Sequence, residues 1–173
     1  WGSIYLTRHR FDGLAIHGLC FSCMENKSDQ LKLALHNKST DDVESALLQR
    51  DRIGMTPLHV LSCMGSHDAP SIESIEFLVQ QCPRALTIED GWGDTPFVYL
   101  LLSEAPLDMM SRFLCQHYDE LRVLDFENVM LKLATMNKGI SDVFLRHAVC
   151  TLRQCMANKR PTTNNSMTTI PQH

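Results

Sequence analysis

Two copies of one short phrase constrain this chain more than any other feature. The first is Asp51-Arg52-Ile53-Gly54-Met55-Thr56-Pro57-Leu58-His59, and the second is Asp90-Gly91-Trp92-Gly93-Asp94-Thr95-Pro96-Phe97-Val98. Asp, Gly, Thr and Pro recur at the same internal offsets, thirty-nine residues apart. Such repetition points to stacked copies of one supersecondary unit, because a single copy cannot bury its own apolar face. The phrase also has a local logic. Asp and Gly are turn residues, and Gly tolerates backbone geometry that other residues resist. Thr is expected to cap a helix, its hydroxyl accepting from an otherwise unpaired backbone N–H. Pro then falls at the first helical position, where it has no N–H to lose.

The match extends into the flanks. After Thr56-Pro57 an apolar stripe runs through Leu58, Leu61 and Ser62, and Gly65 to Ala69 break it. Pro70 restarts a helix with Ile72, Ile75, Leu78 and Val79 on one face, and Cys82-Pro83 ends it. The second copy repeats the order with Phe97, Leu100 and Leu101, then Ala105-Pro106, then Met110, Phe113 and Leu114. Between the copies, Arg84 to Glu89 is too short for another helix and suits an extended finger turning at Gly91 and Gly93.

Upstream, Leu31, Leu33, Ala34 and Leu35 form one helical run. A turn at Lys38-Ser39-Thr40 and a second run at Val43, Ala46 and Leu47 complete a predicted helical hairpin. Leu14 to Met24 reads as one weak helix, since Gly13 and Gly18 lower its propensity. Gly13 to His17 echoes Gly54 to His59 without the proline. Downstream, Asp125 opens a helix through Phe126, Val129, Met130 and Leu133, Gly139 closes it, and Val143 to Cys155 forms the last. The tail from Lys159 is expected to be disordered.

These residues resemble the ankyrin repeat. That family places Asp, Gly and then Thr-Pro-Leu-His at the start of a first helix, with a Leu pair in the second. Asp51, Gly54, Thr56, Pro57, Leu58 and His59 match, with Leu78-Val79 standing for the pair. The second copy matches at Asp90, Gly93, Thr95 and Pro96, with Phe97 for Leu, Val98 for His and Phe113-Leu114 for the pair. The resemblance spans roughly residues 28 to 157 and is of motif quality from 51 to 117.

It implies an all-α fold, a short solenoid of helical hairpins with extended finger loops. Residues 1–27 become a capping segment, and the repeats fall at about 28–50, 51–89, 90–124 and, as a degenerate cap, 125–157. Residues 158–173 are the tail. The chain departs from the family in two ways. Its pitch exceeds the usual ~33 residues, with the excess assigned to Gly65–Ala69 and Cys82–Ile88, and Val98 replaces the histidine that in the family helps tie adjacent repeats.

The resemblance further implies a protein partner, bound through finger tips and first helices, and neither catalysis nor a cofactor. Position by position this selects Arg52, Ile53, Met55, Cys63 and Met64 in the first copy, and Gly91, Trp92, Asp94, Leu102 and Ser103 in the second. Trp92 stands out, because aromatic residues supply much of the energy at interfaces. Its competing role is to pack on the neighbouring finger near Ile53.

Composition narrows the classes without naming one. The 173 residues are 44% hydrophobic and 21% charged, as in globular proteins. A formal charge of −4, with arginines and lysines scattered among acids, leaves no footprint for nucleic acid. No apolar run is long enough to cross a bilayer, and no small-molecule substrate is expected. The phosphate-loop, nucleophile-elbow and zinc-protease motifs are missing.

The chain begins with Trp1, which reads as a fragment or trimmed product. Seven cysteines, most inside apolar patterns, favour an intracellular setting. One alternative chemistry remains. His17, Cys20 and Cys23 have the spacing of zinc ligands, and Cys20-Phe21-Ser22-Cys23 that of a redox pair. The same spacing describes small residues on one buried face.

Overall fold

The computed structural model describes residues 10–22, 26–63, 72–103 and 107–121, together with 128, 129, 131, 135, 146, 149–151, 153, 154 and 157. Among the described residues there is no strand, and the chain is all-α. The helices are α1 (Ala15–Phe21), α2 (Lys27–Leu35), α3 (Thr40–Leu48), α4 (Pro57–Cys63), α5 (Ile72–Gln81), α6 (Pro96–Leu102), α7 (Leu107–Gln116) and α8 (Tyr118–Leu121). A 3-10 helix occupies Pro83–Thr87. The helices expected after Asp125, the loop at Gly65–Ala69 and the tail lie wholly or largely outside the described residues.

The helix α4 organises the rest. Six of its seven residues, Pro57 to Ser62, are buried, and a helix buried all round must have neighbours on every side. It packs between α1 and α6 in one row, while α5 lies behind it, and α2 lies behind α1 and against α5. The second row turns Leu31, Leu35, Ile75, Leu78 and Val79 onto the first. The core between the rows is filled by Leu58, Leu61, Phe97, Leu100 and Leu101, each no more than 1% exposed.

Two expectations need correction. The hairpin predicted from Leu31 to Leu48 forms as two helices, but α2 packs on α1 and α5, whereas α3 packs on α4 and α5. Residues 10–35 thus make a turn, a first-row helix and a second-row helix, and the boundary drawn at residue 28 falls inside that unit. The segment Arg84–Glu89 is not simply extended. Pro83 presets the backbone for a helical turn, and Ala85 and Leu86, each 1% exposed, need cover that one turn provides.

The helix α3 and this 3-10 turn occupy corresponding places, each following a second-row helix and preceding a finger. They are linked by Arg84 Nη1 to Glu44 Oε1 at 3.2 Å, an exposed pair that contributes little.

Before each first-row helix the chain turns through a glycine in the left-handed region: Gly13 (φ 77°), Gly54 (φ 84°) and Gly93 (φ 75°). Among the described residues, no helix is long and apolar enough to cross a membrane.

Gly54 and Gly93 share a turn type but not a neighbourhood. A Cβ on Gly54 would lie 2.6 Å from the Gly91 backbone nitrogen and 3.1 Å from the Asp90 carbonyl carbon, whereas one on Gly93 meets nothing within 4 Å. Gly93→Ala is therefore expected to lose only the left-handed backbone penalty, about 1 to 2 kcal/mol. Gly54→Ala adds a backbone collision between fingers and should lose on the order of 3 kcal/mol or more. Urea unfolding of the two variants checks this ranking.

Candidate functional site

The two phrases build the same turn from the same hydrogen bonds. In the first, Asp51 Oδ1 accepts from the backbone N–H of Ile53 at 3.0 Å and of Met55 at 2.9 Å. The Asp51 N–H donates to Met55 O and the Gly54 N–H to Asp51 O. In the second, Asp90 Oδ1 accepts from Trp92 at 2.8 Å and Asp94 at 3.0 Å, Asp90 donates to Asp94 O, and Gly93 donates to Asp90 O.

The remaining carboxylate oxygen of each finger is also held. Arg10 takes Asp51 Oδ2 at 2.6 to 2.7 Å, and the Tyr99 hydroxyl donates to Asp90 Oδ2 at 2.6 Å. Burial acts to raise the Asp90 pKa, but the Tyr99 hydroxyl and two backbone N–H groups outweigh it and hold the carboxyl below its ordinary range. The tips themselves are joined by the Gly91 N–H donating to Ile53 O at 3.0 Å.

Histidines join one unit to the next. His59 Nε2 lies 2.9 Å from Asp94 O. A carbonyl can only accept, so Nε2 carries the proton and Nδ1 carries the lone pair. That lone pair accepts from the Thr56 backbone N–H at 3.1 Å and the Thr56 hydroxyl at 2.8 Å. Thr56 thus donates to an imidazole, in place of the helix-capping role that the sequence predicts for its hydroxyl. In the preceding unit His17 does the same work, Nε2 donating to Met55 O at 3.0 Å. Each is the third residue of its helix, in Ala15-Ile16-His17 and Pro57-Leu58-His59.

In α6 the third residue is Val98, and the pattern breaks. Thr95 makes no side-chain cap bond, and its buried hydroxyl has no hydrogen-bond partner.

The predicted contact residues divide on these constraints. Arg52, Gly91 and Cys63 are exposed, Trp92 is 60% exposed, and Ile53, Leu102 and Ser103 are half-buried. Ile53 packs on the core, and the Ser103 hydroxyl donates to Leu100 O. Met55 and Asp94, at 6% and 4% exposed, leave the candidate surface. Both end their turns with N–H held by an aspartate and C=O held by a histidine of the preceding unit, so each is enclosed between units. Met64 lies outside the described residues.

Three participants are not marked as such by any sequence motif. Arg10 and Tyr99 complete the two aspartates, and the Tyr99 ring stands edge-on to His59 with centroids 5.9 Å apart. His17 could have been assigned from its echo of His59 once one residue is allowed to drop between Gly13 and the helix.

The alternative cluster takes a different form. His17 is 1% exposed and holds Met55 O, and Cys20 is wholly buried with its thiol pushed up to about 12 by burial. Cys23 lies outside the described residues. Among the described residues, no three His, Cys, Asp or Glu side chains are grouped to hold a metal ion. Cys20, Cys63, Cys82 and Cys150 are free thiols, and Cys115 is disulfide-bonded.

On the second row, an open cleft of about 510 Å³ is lined by residues including Lys32, Leu33, His36, Lys38, Val43 and Phe77. No sequence motif marked it. Compared with protein-family models, curated proteins and solved structures, the chain matches none.

The threonines before the two prolines should respond differently to loss of their hydroxyls. Thr56→Val removes a hydroxyl bonded to His59 and should lose about 1 kcal/mol. Thr95→Val removes a buried, unpartnered hydroxyl and should be neutral or stabilising. Paired urea curves decide this, and equal losses would contradict it.

Burial also lowers the pKa of His17, His59 and His117 below the ordinary 6.5. The unfolded chain then takes up protons before the folded one does, so the stability these groups contribute is complete above about 6.5 and is lost as pH falls through the folded values. The urea midpoint should fall between about pH 7.5 and about pH 5.5, with a shallower fall in His59→Gln. A flat or rising midpoint in the wild type would sink this account.

Proposed function

We propose that this chain is a non-enzymatic interaction module of ankyrin type that holds a protein partner on its finger tips and the adjoining first-row helices. One observation carries the reading. Two fingers share one hydrogen-bond pattern, are bonded tip to tip, and present Trp92 at 60% exposure on a turn whose backbone is fixed.

A large aromatic residue on a rigid turn has little freedom to lose on binding, which is what an interface anchor requires. Arg52 and Cys63 extend the exposed surface, with Ile53, Leu102 and Ser103 at its base. The stacking of α1, α4 and α6 with α2 and α5 behind them, and the histidine ties, are the features that favour an ankyrin-type solenoid.

Asp51, Asp90, His17 and His59 are engaged in holding turns and junctions, and the hydroxyl–imidazole pair of Thr56 and His59 is enclosed, each residue 0% exposed. The four free thiols, Cys20, Cys63, Cys82 and Cys150, favour a reducing setting inside the cell. The disulfide at Cys115 is the feature that speaks for an oxidising compartment.

The test compares two exposed positions on different faces. A photo-reactive side chain replaces Arg52 at the tip, or Leu33 on α2, which is 69% exposed. Cross-linking to a protein partner is expected from position 52, and adding Trp92→Ala should reduce it about tenfold or more. Trp92→Ala alone should change stability by no more than about 0.5 kcal/mol. Cross-linking from position 33 only, or an unchanged yield with Trp92→Ala, would overturn the assignment.

A further inference from the structure

The finger tips differ in charge from the chain that carries them. The chain has a formal charge of −4, and three carboxylates belong to the fingers. All three are turned inward: Asp51, Asp90 and Asp94 are 7%, 6% and 4% exposed. Asp51 is further neutralised by Arg10, and Asp90 is bonded by Tyr99. The arginines face the other way. Arg50 and Arg52 are exposed, and neither has an ion-pair partner among the described residues. The exposed acids nearest in sequence are Glu89, before the second finger, and Asp41 and Asp42, at the start of α3.

The bond from Gly91 N–H to Ile53 O sets the two tips side by side, with Arg52 next to Ile53 in one and Trp92 next to Gly91 in the other. The floor around the indole is bare backbone. A Cβ on Gly91 would lie 2.6 Å from Ile53 O, so no side chain fits there, and one on Gly93 would stand in open space. The result is an exposed aromatic ring flanked by glycines, with the exposed Arg52, which has no ion-pair partner among the described residues, on the adjoining tip.

Resting on the reading of the tips as a protein-binding surface, we infer that the partner segment is acidic, with an apolar side chain seated against Trp92 and carboxylates facing Arg50 and Arg52. Opposite charges at an exposed rim speed encounter and select partners, and their contribution falls with salt. The apolar contact supplies the salt-insensitive part of the affinity.

The test pans displayed random peptides on the full chain, then measures the selected peptides against variants. Peptides rich in Asp and Glu around one apolar residue are expected. Their affinity should fall about tenfold or more in the double variant Arg50→Glu, Arg52→Glu, and comparably in Trp92→Ala. The charge reversal should also invert the salt dependence, because added salt then screens repulsion between the glutamates and the acidic peptide.

Selection of neutral or basic peptides that still require Trp92 would overturn the acidic partner while leaving the tip as a binding surface. Peptides indifferent to Trp92 and both arginines would overturn the site. No enrichment above background would overturn both this inference and the function it rests on. Urea curves for each variant, expected to match the wild type, separate lost binding from lost folding.

Discussion

The Thr56 amide and the Asp94 carbonyl, which belong to successive units, are joined through the single imidazole of His59. That bridge depends on one neutral tautomer, with its proton on Nε2 and its lone pair shared between a backbone N–H and a hydroxyl. A buried backbone group without a partner costs about 1 to 3 kcal/mol, so the ring satisfies the Thr56 N–H that the helix start would otherwise leave unpaired, and it adds a second donor to the Asp94 carbonyl, which already accepts from Asp90. His17 repeats the donor half of the arrangement on Met55. The stacking of one finger on the next is held by these two contacts together with the Gly91–Ile53 bond.

Function on this account is a consequence of what the ties consume. Asp51 and Asp90 are turned inward to hold backbone and an adjacent side chain, Asp94 is buried with them, and Trp92 between two glycines remains exposed together with Arg50 and Arg52. The turn that makes the repeat stackable also makes its tip rigid and largely stripped of negative charge. A rigid aromatic tip is the surface on which the proposed partner would be held, since it has little freedom to lose on binding.

Much of this was legible in the residues. Asp51, Gly54, Asp90 and Gly93 announced the turns, Pro57 and Pro96 the helix starts, and the apolar runs after them the buried row. The structure departs from the sequence reading wherever one residue type serves two roles. Thr before Pro resembles a helix cap, and only the position of His59 shows that its hydroxyl donates to a ring. His17 and Cys20 share a spacing with metal ligands, and only burial shows the first holding Met55 O and the second lying in the core. Met55 and Asp94 fall between exposed neighbours in sequence, but their backbone groups are claimed on both sides. Pairing was the least legible feature. The α2 and α3 helices are adjacent in the chain and form a plausible hairpin, yet the apolar demand of α1 and α5 draws α2 into the second row.

The central claim is that His59 is a neutral bridge with its proton on Nε2, and ring nitrogen NMR of the full chain tests it directly. With specifically labelled histidine, His59 should show a protonated Nε2 and a bare, hydrogen-bonded Nδ1 at neutral pH. That state should persist below about pH 6.5, the ordinary pKa of an imidazole in water. A His59 ring protonated on Nδ1, or an imidazolium already formed near pH 6.5, would contradict the account.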